Sequence, residues 1–386
     1  MTALATIPLF QGRDFYVPRF ELFLGDSSKR GAILFDVMQV TYKDNVESID
    51  TFELTINNWD EVKRQFKHHD SSQLDPGQRV ELHMGYLGDT GGLRTMMHGV
   101  ITEMSPTFPA AGQPTLKVSG QNILHSFCKE RRSEAYQANE ATASKVARKI
   151  CQRLGVEFPN DTSHPEIAHE HLIQENQFDI IFLMELARLE GYEIVIDEPS
   201  PTGPSKTTLK FVQSGDVVRA VYELRYGATL TEFTPTLSTA KQVSSITING
   251  WDEAKGKRIK VEVGQQSLSG SQGLTKKLIP GSKNPVKDRK DVVSNLPVRD
   301  EQTAHAVATA RLQSQNAKVV TGTGSVIGLP ELRAGSQVYL WGLGQRFSGR
   351  YFVTGTTHTI GMSGYTTQFE CQLEEVEPDP HAGKQT

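Results

Sequence analysis

Apolar and polar residues alternate in the first third of the chain. Apolar side chains occupy every second position in residues 20–24, 52–56 and 80–84, and a period of two places them on one face of a half-buried strand. Residues 98–103 and 115–119 predict two further strands. Several short strands with turns between them favour an antiparallel β-sandwich or β-barrel.

The spacing becomes helical in the middle of the chain. Apolar residues recur three or four positions apart in residues 143–154 and again in residues 178–189, which predicts two helices. Gly155 and Gly191 follow these segments, where a left-handed C-terminal cap is usual. Alternating strands come after the second helix, so this region predicts a small α/β unit.

The last third returns to a period of two. A polar stretch at residues 264–291, rich in Gly, Ser and Lys, interrupts it. This stretch predicts a long mobile loop, because it cannot bury enough apolar surface to offset the entropy of ordering. A helix is predicted after the loop, with Asp300 as its N-cap. The predicted strands are residues 245–249, 258–263, 337–340, 351–359 and 367–373.

Two parts of the chain repeat one another. Residues 74–82 and 332–340 share Leu, Gly, Val and Leu at the same spacing. Gly77 and Gly335 take the turn position at which φ is positive. The repeat predicts two similar β-domains. Three such chains around an axis would present six of these domains, as an adaptor between trimeric and hexameric partners requires.

Composition and charge exclude several classes of protein. The net charge of −4 and the pI near 6.3 give no general basic field, so specific nucleic-acid binding is not expected. Cys128, Cys151 and Cys371 are widely spaced, so neither a disulfide framework nor a zinc ribbon is predicted. The first residues lack a signal-peptide pattern, and the apolar stretches are too short to span a membrane. No membrane insertion by this chain is therefore expected.

Candidate chemistry is sparse. The histidine-rich segment 164–171 is a metal-like cluster, but it lacks HExxH spacing and falls in a predicted polar loop. Solvated loop histidines are therefore favoured over a metal site. The glycines of residues 322–328 resemble a dinucleotide loop, but their last spacing is one residue too long and no βαβ unit surrounds them. We predict no catalytic residue, no cofactor, no metal ligand and no enzymatic activity.

Several motifs occur in one order along the chain. They are the turn at residues 74–80, the strands of residues 99–120, the helix of residues 178–191, the strand end Gly250-Trp251-Asp252 and the block of residues 342–358. Together they resemble the phage late control D family, the gp27-like hub proteins of contractile tails and the N-terminal half of VgrG. The resemblance implies a homotrimer that joins a hexameric inner tube to a trimeric spike in the baseplate of a phage tail or contractile injection system.

The resemblance also sets expectations about partners and location. VgrG-type chains continue into an oligonucleotide/oligosaccharide-binding fold and a β-helical needle, whereas this chain ends soon after residue 373. The spike is therefore expected to be a separate protein, and other baseplate proteins are expected partners. Assembly is expected in the bacterial cytoplasm. Two alternatives stay open: a surface or carbohydrate-binding β-protein and, more remotely, a metal-dependent hydrolase that uses the histidine-rich segment.

The predicted fold class is mainly β with an α/β insertion. It comprises two duplicated tube-like antiparallel β-barrels and a small α/β domain. The predicted domains are residues 1–126 for the first barrel, 127–215 for the α/β insertion, 216–263 and 317–373 for the second barrel, 264–316 for a loop-plus-helix insertion and 374–386 for a C-terminal tail.

The C-terminal tail is a candidate spike contact. Leu373 is expected to end the last strand, because the prolines at 378 and 380 cannot donate hydrogen bonds to a central strand. The tail would then leave the second barrel as an extended tether, although termini are usually disordered unless something holds them. The residues proposed for this contact are Glu374, Glu375, Val376, Glu377 and Pro378.

Overall fold

The computed structural model describes most of the chain. The described residues are 6–7, 15–25, 32–88, 92–138, 141–159, 166, 169, 171–199, 206–212, 219, 221–240, 242–252, 255–265, 278, 286, 289–294, 298 and 300–380. Most of the polar stretch 264–291 and of the histidine-rich segment 164–171 lies outside them, as do residues 381–386 of the predicted tail.

Strands dominate the described residues. The first strands are β1 (Thr6–Ile7), β2 (Pro18–Leu24), β3 (Val37–Asn45), β4 (Thr51–Asn57), β5 (Trp59–Asp60), β6 (Gln65–Phe66), β7 (Arg79–Tyr86), β8 (Arg94–Thr107), β9 (Thr115–Asn122), β10 (Arg131–Gln137) and β11 (His171–Phe178). The later strands are β12 (Glu193–Asp197), β13 (Thr208–Val212), β14 (Val221–Arg225), β15 (Leu230–Leu237), β16 (Ser245–Asp252), β17 (Lys257–Gly264), β18 (Lys290–Val293), β19 (Val320–Ile327), β20 (Gln337–Trp341), β21 (Gly349–Gly361) and β22 (Gly364–Val376). The helices are α1 (Ala143–Leu154), α2 (Asp179–Glu190), α3 (Glu301–Ala317) and α4 (Gly344–Phe347).

The first β region is an antiparallel sheet in the order β2-β7-β8-β9-β4-β3. Its strands alternate as the sequence predicts: in β4, Phe52, Leu54 and Ile56 are fully buried while the residues between them are half-buried. Apolar side chains on one face of these strands form a core of their own.

The second β region repeats this order. Strands β20-β21-β22-β19-β15 pair antiparallel in the same succession as β7-β8-β9-β4-β3. The outermost strand differs, since β14 runs parallel to β20 whereas β2 runs antiparallel to β7. This region also has its own apolar core.

Local irregularities are repeated as well. Strand β8 has a bulge at Thr102 and strand β21 has one at Thr354. The turn before each of them makes the same hydrogen bond: Gly77 N donates to Ile101 O and Gly335 N donates to Val353 O, both at 2.8 Å. A second pair of bulges lies at equivalent places in β3 and β15. Because bulges interrupt a ladder at one defined residue, they fix a residue-by-residue equivalence between the two regions.

The middle of the chain forms the α/β unit that the sequence predicts. Helices α1 and α2 pack with the two-stranded antiparallel sheets β10-β11 and β12-β13 around a separate core. Gly155 and Gly191 end the two helices with φ of 74° and 75°, as left-handed caps require. The predicted fold class, mainly β with an α/β insertion, is confirmed.

One predicted boundary is wrong. Strands β16 and β17, which the sequence analysis placed in the second barrel through residue 263, form a separate three-stranded sheet with β18. Helix α3 covers this sheet, and the two share a small core. The alternation of β16 and β17 is real, but a period of two does not tell which sheet a strand joins.

The two turn glycines give a matched pair of substitutions. Gly77 has φ of 97° with nothing within 4 Å of an added Cβ, whereas an added Cβ at Gly335, where φ is 82°, would lie 2.6 Å from Val195 Cγ2. We expect Gly77→Ala to cost about 1–2 kcal/mol from left-handed strain. Gly335→Ala should cost about 2–4 kcal/mol, because overpacking adds to that strain. Equal losses in urea unfolding would contradict the contact with Val195.

Candidate assembly surface

The two β regions are joined edge to edge. The first residues of β21 pair with β20, whereas residues 355–360 pair antiparallel with β3. Val46 N extends this ladder by donating to Thr354 O at 3.0 Å. The result is a continuous eight-stranded sheet in the order β8-β9-β4-β3-β21-β22-β19-β15, called here the joined sheet.

Polar side chains predominate on one face of the joined sheet. The central part of this face borders a cleft of about 660 Å³ whose lining includes Lys43 from the first region and Glu232 from the second. Every strand contributes hydroxyl, amide or charged side chains at alternate positions. They are Glu103, Ser105, Thr107, Thr115, Lys117, Ser119, Thr51, Glu53, Thr55, Thr41, Lys43, Thr357, Thr359, Thr366, Gln368, Glu370, Thr321, Thr323, Ser325, Glu232, Thr234 and Thr236.

This polar face has an excess of negative charge. Lys117 pairs with Glu53 at 2.8 Å. Lys43 then remains against three exposed carboxylates, those of Glu103, Glu232 and Glu370. Such a surface has no row of cations that could hold phosphates. The surface is suited to contact with solvent, and it does not suit a nucleic-acid binding site.

The opposite face of the junction holds a buried ion pair. Arg333 Nε donates to Asp44 Oδ2 at 2.5 Å, and Ala334 N donates to the same oxygen at 3.2 Å. The Thr356 hydroxyl donates to the other carboxylate oxygen. Arg333 also donates to Met96 O at 3.1 Å. Because Asp44 lies on β3 and Thr356 on β21, this network joins the two regions on the core side of the ladder.

Burial and the guanidinium act in opposite directions on Asp44. Burial alone would raise the pKa of this carboxyl, but Arg333, His358 and the Thr356 hydroxyl together lower it below its usual value. The side chain is therefore ionised in the folded protein and is satisfied by its hydrogen bonds. The ionised pair is stable only because both partners are present.

The pKa values of two neighbouring groups are shifted in favour of their neutral forms. Burial, with the nearby charge of Asp44, raises the pKa of Asp50 to about 7; Tyr42 and Asn122 donate to its Oδ2 at 3.0 and 2.8 Å. Burial lowers the pKa of His358 to about 4. The His358 ring lies between Leu332 O and the Tyr365 hydroxyl, each at 3.0 Å.

These two shifts predict opposite pH dependences. Asp50 keeps a proton that the unfolded chain loses between about pH 4 and 7, so its contribution to stability falls as pH rises in that window. Between about pH 4 and 6.5, His358 is neutral in the folded protein and protonated in the unfolded chain. Its contribution to the free energy of unfolding therefore rises with pH in that window. In wild type these two contributions to the free energy of unfolding largely cancel below pH 6.5.

Removing one group should expose the other. Relative to wild type, the free energy of unfolding of His358→Gln should fall by about 3 kcal/mol between pH 4 and 6.5. That of Asp50→Asn should rise by about 4 kcal/mol between pH 4 and 7. Urea unfolding at four pH values measures both slopes. Parallel profiles for wild type and both variants would contradict the two shifts.

The α/β unit is tied to the junction by charged groups. Arg219 donates to Asp197 Oδ1 at 2.6 Å and to Ala334 O at 2.7 Å. His98 Nδ1 lies 2.9 Å from Glu198 Oε2, and the hydrogen bond to this carboxylate raises the pKa of His98. Arg219 thus links the α/β unit to the loop that carries Arg333, and the contact between His98 and Glu198 links the unit to β8.

The predicted tail begins later than expected. Glu374, Glu375 and Val376 belong to β22, where Glu375 pairs with Arg350 and Val376 with Gly349. The ladder continues past Leu373 because the first proline comes only at residue 378. Glu377 and Pro378 follow the strand, and Asp379 Oδ2 accepts a hydrogen bond from Gly342 N at 3.0 Å.

The histidine-rich segment has a structural role where it is described. Glu166 Oε1 accepts a hydrogen bond from Ser144 N at 2.9 Å, in the first turn of α1, as an acidic group at a helix N-terminus does. The described residues contain no group of three or more His, Cys, Asp or Glu side chains that could hold a metal ion. Among the helices of the described part, none is long and apolar enough to cross a membrane.

The sequence analysis missed the residues that make the junction. Asp44 and Arg333 lie 289 positions apart, and nothing near either residue in the sequence indicates the other. One signal was available for the sheet edges. Residues 102–108 read TEMSPTF and residues 231–237 read TEFTPTL, which are similar segments in strands β8 and β15.

Comparisons with known proteins agree with this architecture. The sequence model of the Alg8 N-terminal domain family matches residues 29–361. No curated protein matches the sequence. The structure is similar to the 43 kDa tail protein of prophage MuSo2 from Shewanella oneidensis, with a TM-score of 0.68 and 14% identity over 92% of this chain and 98% of that one.

Two further solved structures have the same fold. The tail protein from Neisseria meningitidis MC58 has a TM-score of 0.64 and 13% identity, over 94% of this chain and 98% of that one. The Escherichia coli c3393 protein has a TM-score of 0.59 and 13% identity, over 92% of this chain and 77% of that one. It is described as a type VI secretion component similar in structure to the bacteriophage T4 tail proteins gp27 and gp5. The resemblance to gp27-like proteins is thus confirmed for the fold.

Proposed function

The chain belongs to the Alg8 N-terminal domain family, and from its fold we propose that it is a structural baseplate hub of a contractile phage tail or contractile injection system. In this proposal it is a homotrimer that joins a hexameric inner tube to a trimeric spike. One observation carries the proposal: two β regions with the same strand order are joined side by side through a shared sheet.

Two equivalent regions in one chain allow a threefold assembly to match a sixfold one. A chain with two equivalent regions placed side by side gives six equivalent regions when three chains surround an axis. Such a ring has approximate sixfold symmetry toward a tube and true threefold symmetry toward a spike. The polar face of the joined sheet would line the central channel, where its carboxylates repel phosphate groups and leave cargo free to move.

The neighbouring structures support a role in assembly. Two are named tail proteins, and the third is a component of a type VI secretion system. The buried charges of this chain lie at the junction between its halves, where they stabilise the joined sheet. We therefore assign the protein to a virion tail or injection particle, with tube, spike and other baseplate proteins as partners.

Light scattering on the purified chain tests the trimer. The expected mass is three times 42.8 kDa. The mass is measured for the chain alone and for the chain mixed with candidate spike and tube proteins, since a hub subunit can require its partners to assemble. A chain that stays monomeric at micromolar concentration with both partners present would contradict the hub.

The tail remains a proposed spike contact, now from Glu377 onward. Deleting residues 377–386 should leave the number of subunits in the assembly unchanged, because β22 stays complete. It should weaken spike retention in a pull-down by at least about tenfold, which corresponds to about 1.4 kcal/mol. Asp379→Ala, which removes the hydrogen bond to Gly342 N, should give a smaller loss. Undiminished retention by the truncated chain would exclude the tether.

A further inference from the structure

The joined sheet ends in two strand edges. Strand β15 pairs with β19 on one side and, among the described residues, with no strand on the other. At the opposite end, residues 103–107 of β8 pair with β9, while β7 pairs only with residues 94–100 of β8. Within the described part of the chain, the outer side of residues 103–107 therefore has no strand beside it. Unpaired edges of this kind are templates for another chain.

The internal repeat shows what such edges do when they meet. The bulges and turn hydrogen bonds make Ile101 equivalent to Val353, so residues 103–107 correspond to residues 355–359. The bulges in β3 and β15 likewise make residues 232–238 correspond to residues 39–45. In the molecule, residues 355–360 pair with residues 40–45. The two outer edges are thus the counterparts of the two edges that already pair at the centre.

The geometry points to a second copy of this chain as the occupant of both edges. We propose that β15 of one subunit pairs antiparallel with residues 103–108 of the next subunit, with Pro106 opposite Pro235. This proposal rests on the trimeric hub and specifies its interface. Eight strands from each of three chains would then close into a ring of 24.

The register follows from the central junction. There Thr357 lies opposite Lys43, and His358 lies opposite Tyr42. Their counterparts place Ser105 opposite Thr236, and Pro106 opposite Pro235. The similar segments TEMSPTF and TEFTPTL then face each other with their prolines aligned.

The side chains at the two edges are complementary. Met104 and Pro106 on β8, and Phe233, Pro235 and Leu237 on β15, are half-buried in the single chain. Pairing would bring these apolar groups together on the core side of the sheet. The hydroxyl-rich positions on the other side would continue the polar face without a break. At the central junction the corresponding core-side residues include the polar groups of Asp44, Tyr42, Thr356 and His358.

The prolines explain why the free edges would not pair with unrelated strands before assembly. Ser238 N donates to Val319 O, so the even-numbered residues of β15 face β19 and the nitrogen of Pro235 faces outward. Pro106 takes the position of His358, whose backbone faces β3. Each edge therefore lacks its central donor, which discourages pairing with unrelated strands. The cognate edge adds matching apolar side chains that an unrelated strand lacks.

Disulfide trapping tests the register. Ser105 and Thr236 are counterparts of a pair without direct backbone hydrogen bonds, for which Cα atoms lie about 4.5 Å apart, within the range that a disulfide spans. The double variant Ser105→Cys/Thr236→Cys, made in a Cys128→Ser background, should form covalent trimers on mild oxidation. Ser105→Cys/Thr234→Cys, two residues out of register, should form at least about tenfold fewer.

The central junction supplies an internal control. Lys43→Cys/Thr357→Cys should form a disulfide within one chain and no covalent oligomer, because these residues pair inside the subunit. A trimer of the expected mass in which Ser105→Cys/Thr236→Cys links no better than the shifted pair would overturn the register and leave the hub standing. Failure of the chain to form a trimer with its spike and tube partners would overturn both proposals.

Discussion

Replacing Arg333 with methionine is expected to lower the free energy of unfolding by about 3–5 kcal/mol. The substitution keeps most of the side-chain volume but leaves the buried Asp44 carboxyl without its cation, so this group has to be buried either unpaired or protonated. It also removes the hydrogen bonds from Arg333 to Tyr42 and Met96 O. Because these contacts join β3 to the second β region, the loss should appear as a lower urea midpoint for the whole joined sheet.

Two controls separate the buried charge from other effects. Lys318→Met breaks an ion pair with Glu47 that is about half exposed, and exposed pairs contribute about 0–1 kcal/mol. Adding Asp44→Asn to Arg333→Met should recover part of the loss, because a neutral amide costs less to bury than an unpaired carboxylate. Similar losses of unfolding free energy for Arg333→Met and Lys318→Met would show that the buried ion pair contributes no more to stability than the exposed one.

Restoring the missing donors at the subunit edges is expected to tighten the trimer strongly. In the proposed trimer, the double variant Pro106→Ala/Pro235→Ala would give each of the three subunit junctions two backbone N–H groups that face carbonyl oxygens of the neighbour. At about 0.5–1.5 kcal/mol for each hydrogen bond, the trimer should gain about 3–9 kcal/mol in total. Analytical ultracentrifugation over a dilution series measures the dissociation constant.

A neighbouring proline provides the matched control. Pro109 follows β8 in an exposed loop, outside the proposed register, so Pro109→Ala should leave the dissociation constant unchanged. Each single edge variant should fall between wild type and the double variant. A double variant that dissociates as readily as wild type would contradict pairing between β8 and β15.

Local patterns predicted much of the fold because they report on local physics. The alternation in β4 identified its buried face, and Gly155 and Gly191 marked the ends of both helices of the α/β unit. The match between the segments around Gly77 and Gly335 located the repeat, since both turns require a positive φ. Each of these signals lies within about ten residues of the structure that it predicts.

The errors lie where the outcome depends on distant partners. Strands β16 and β17 alternate like barrel strands, but β18 and α3 draw them into another sheet. Strand β22 extends to Val376 because β21 offers Gly349 and Arg350 as partners. The ion pair between Asp44 and Arg333 joins residues that are far apart in the sequence and lie together where β3 pairs with β21. No pattern of hydrophobic and polar positions contains such information.

The repeated bulges also bear on how this chain arose. Two irregularities shared at equivalent positions indicate a tandem duplication, and if the proposed trimer is correct, a single-domain ancestor would have formed rings of six separate chains. Fusion would have placed half of the contacts within a polypeptide, where the local concentration of the partner is permanently high. Those contacts could then acquire a charged pair such as Asp44–Arg333, which is costly to leave half-made. In the proposed trimer the contacts between chains would instead use edges that carry prolines, because each subunit would have to exist alone until the ring closes.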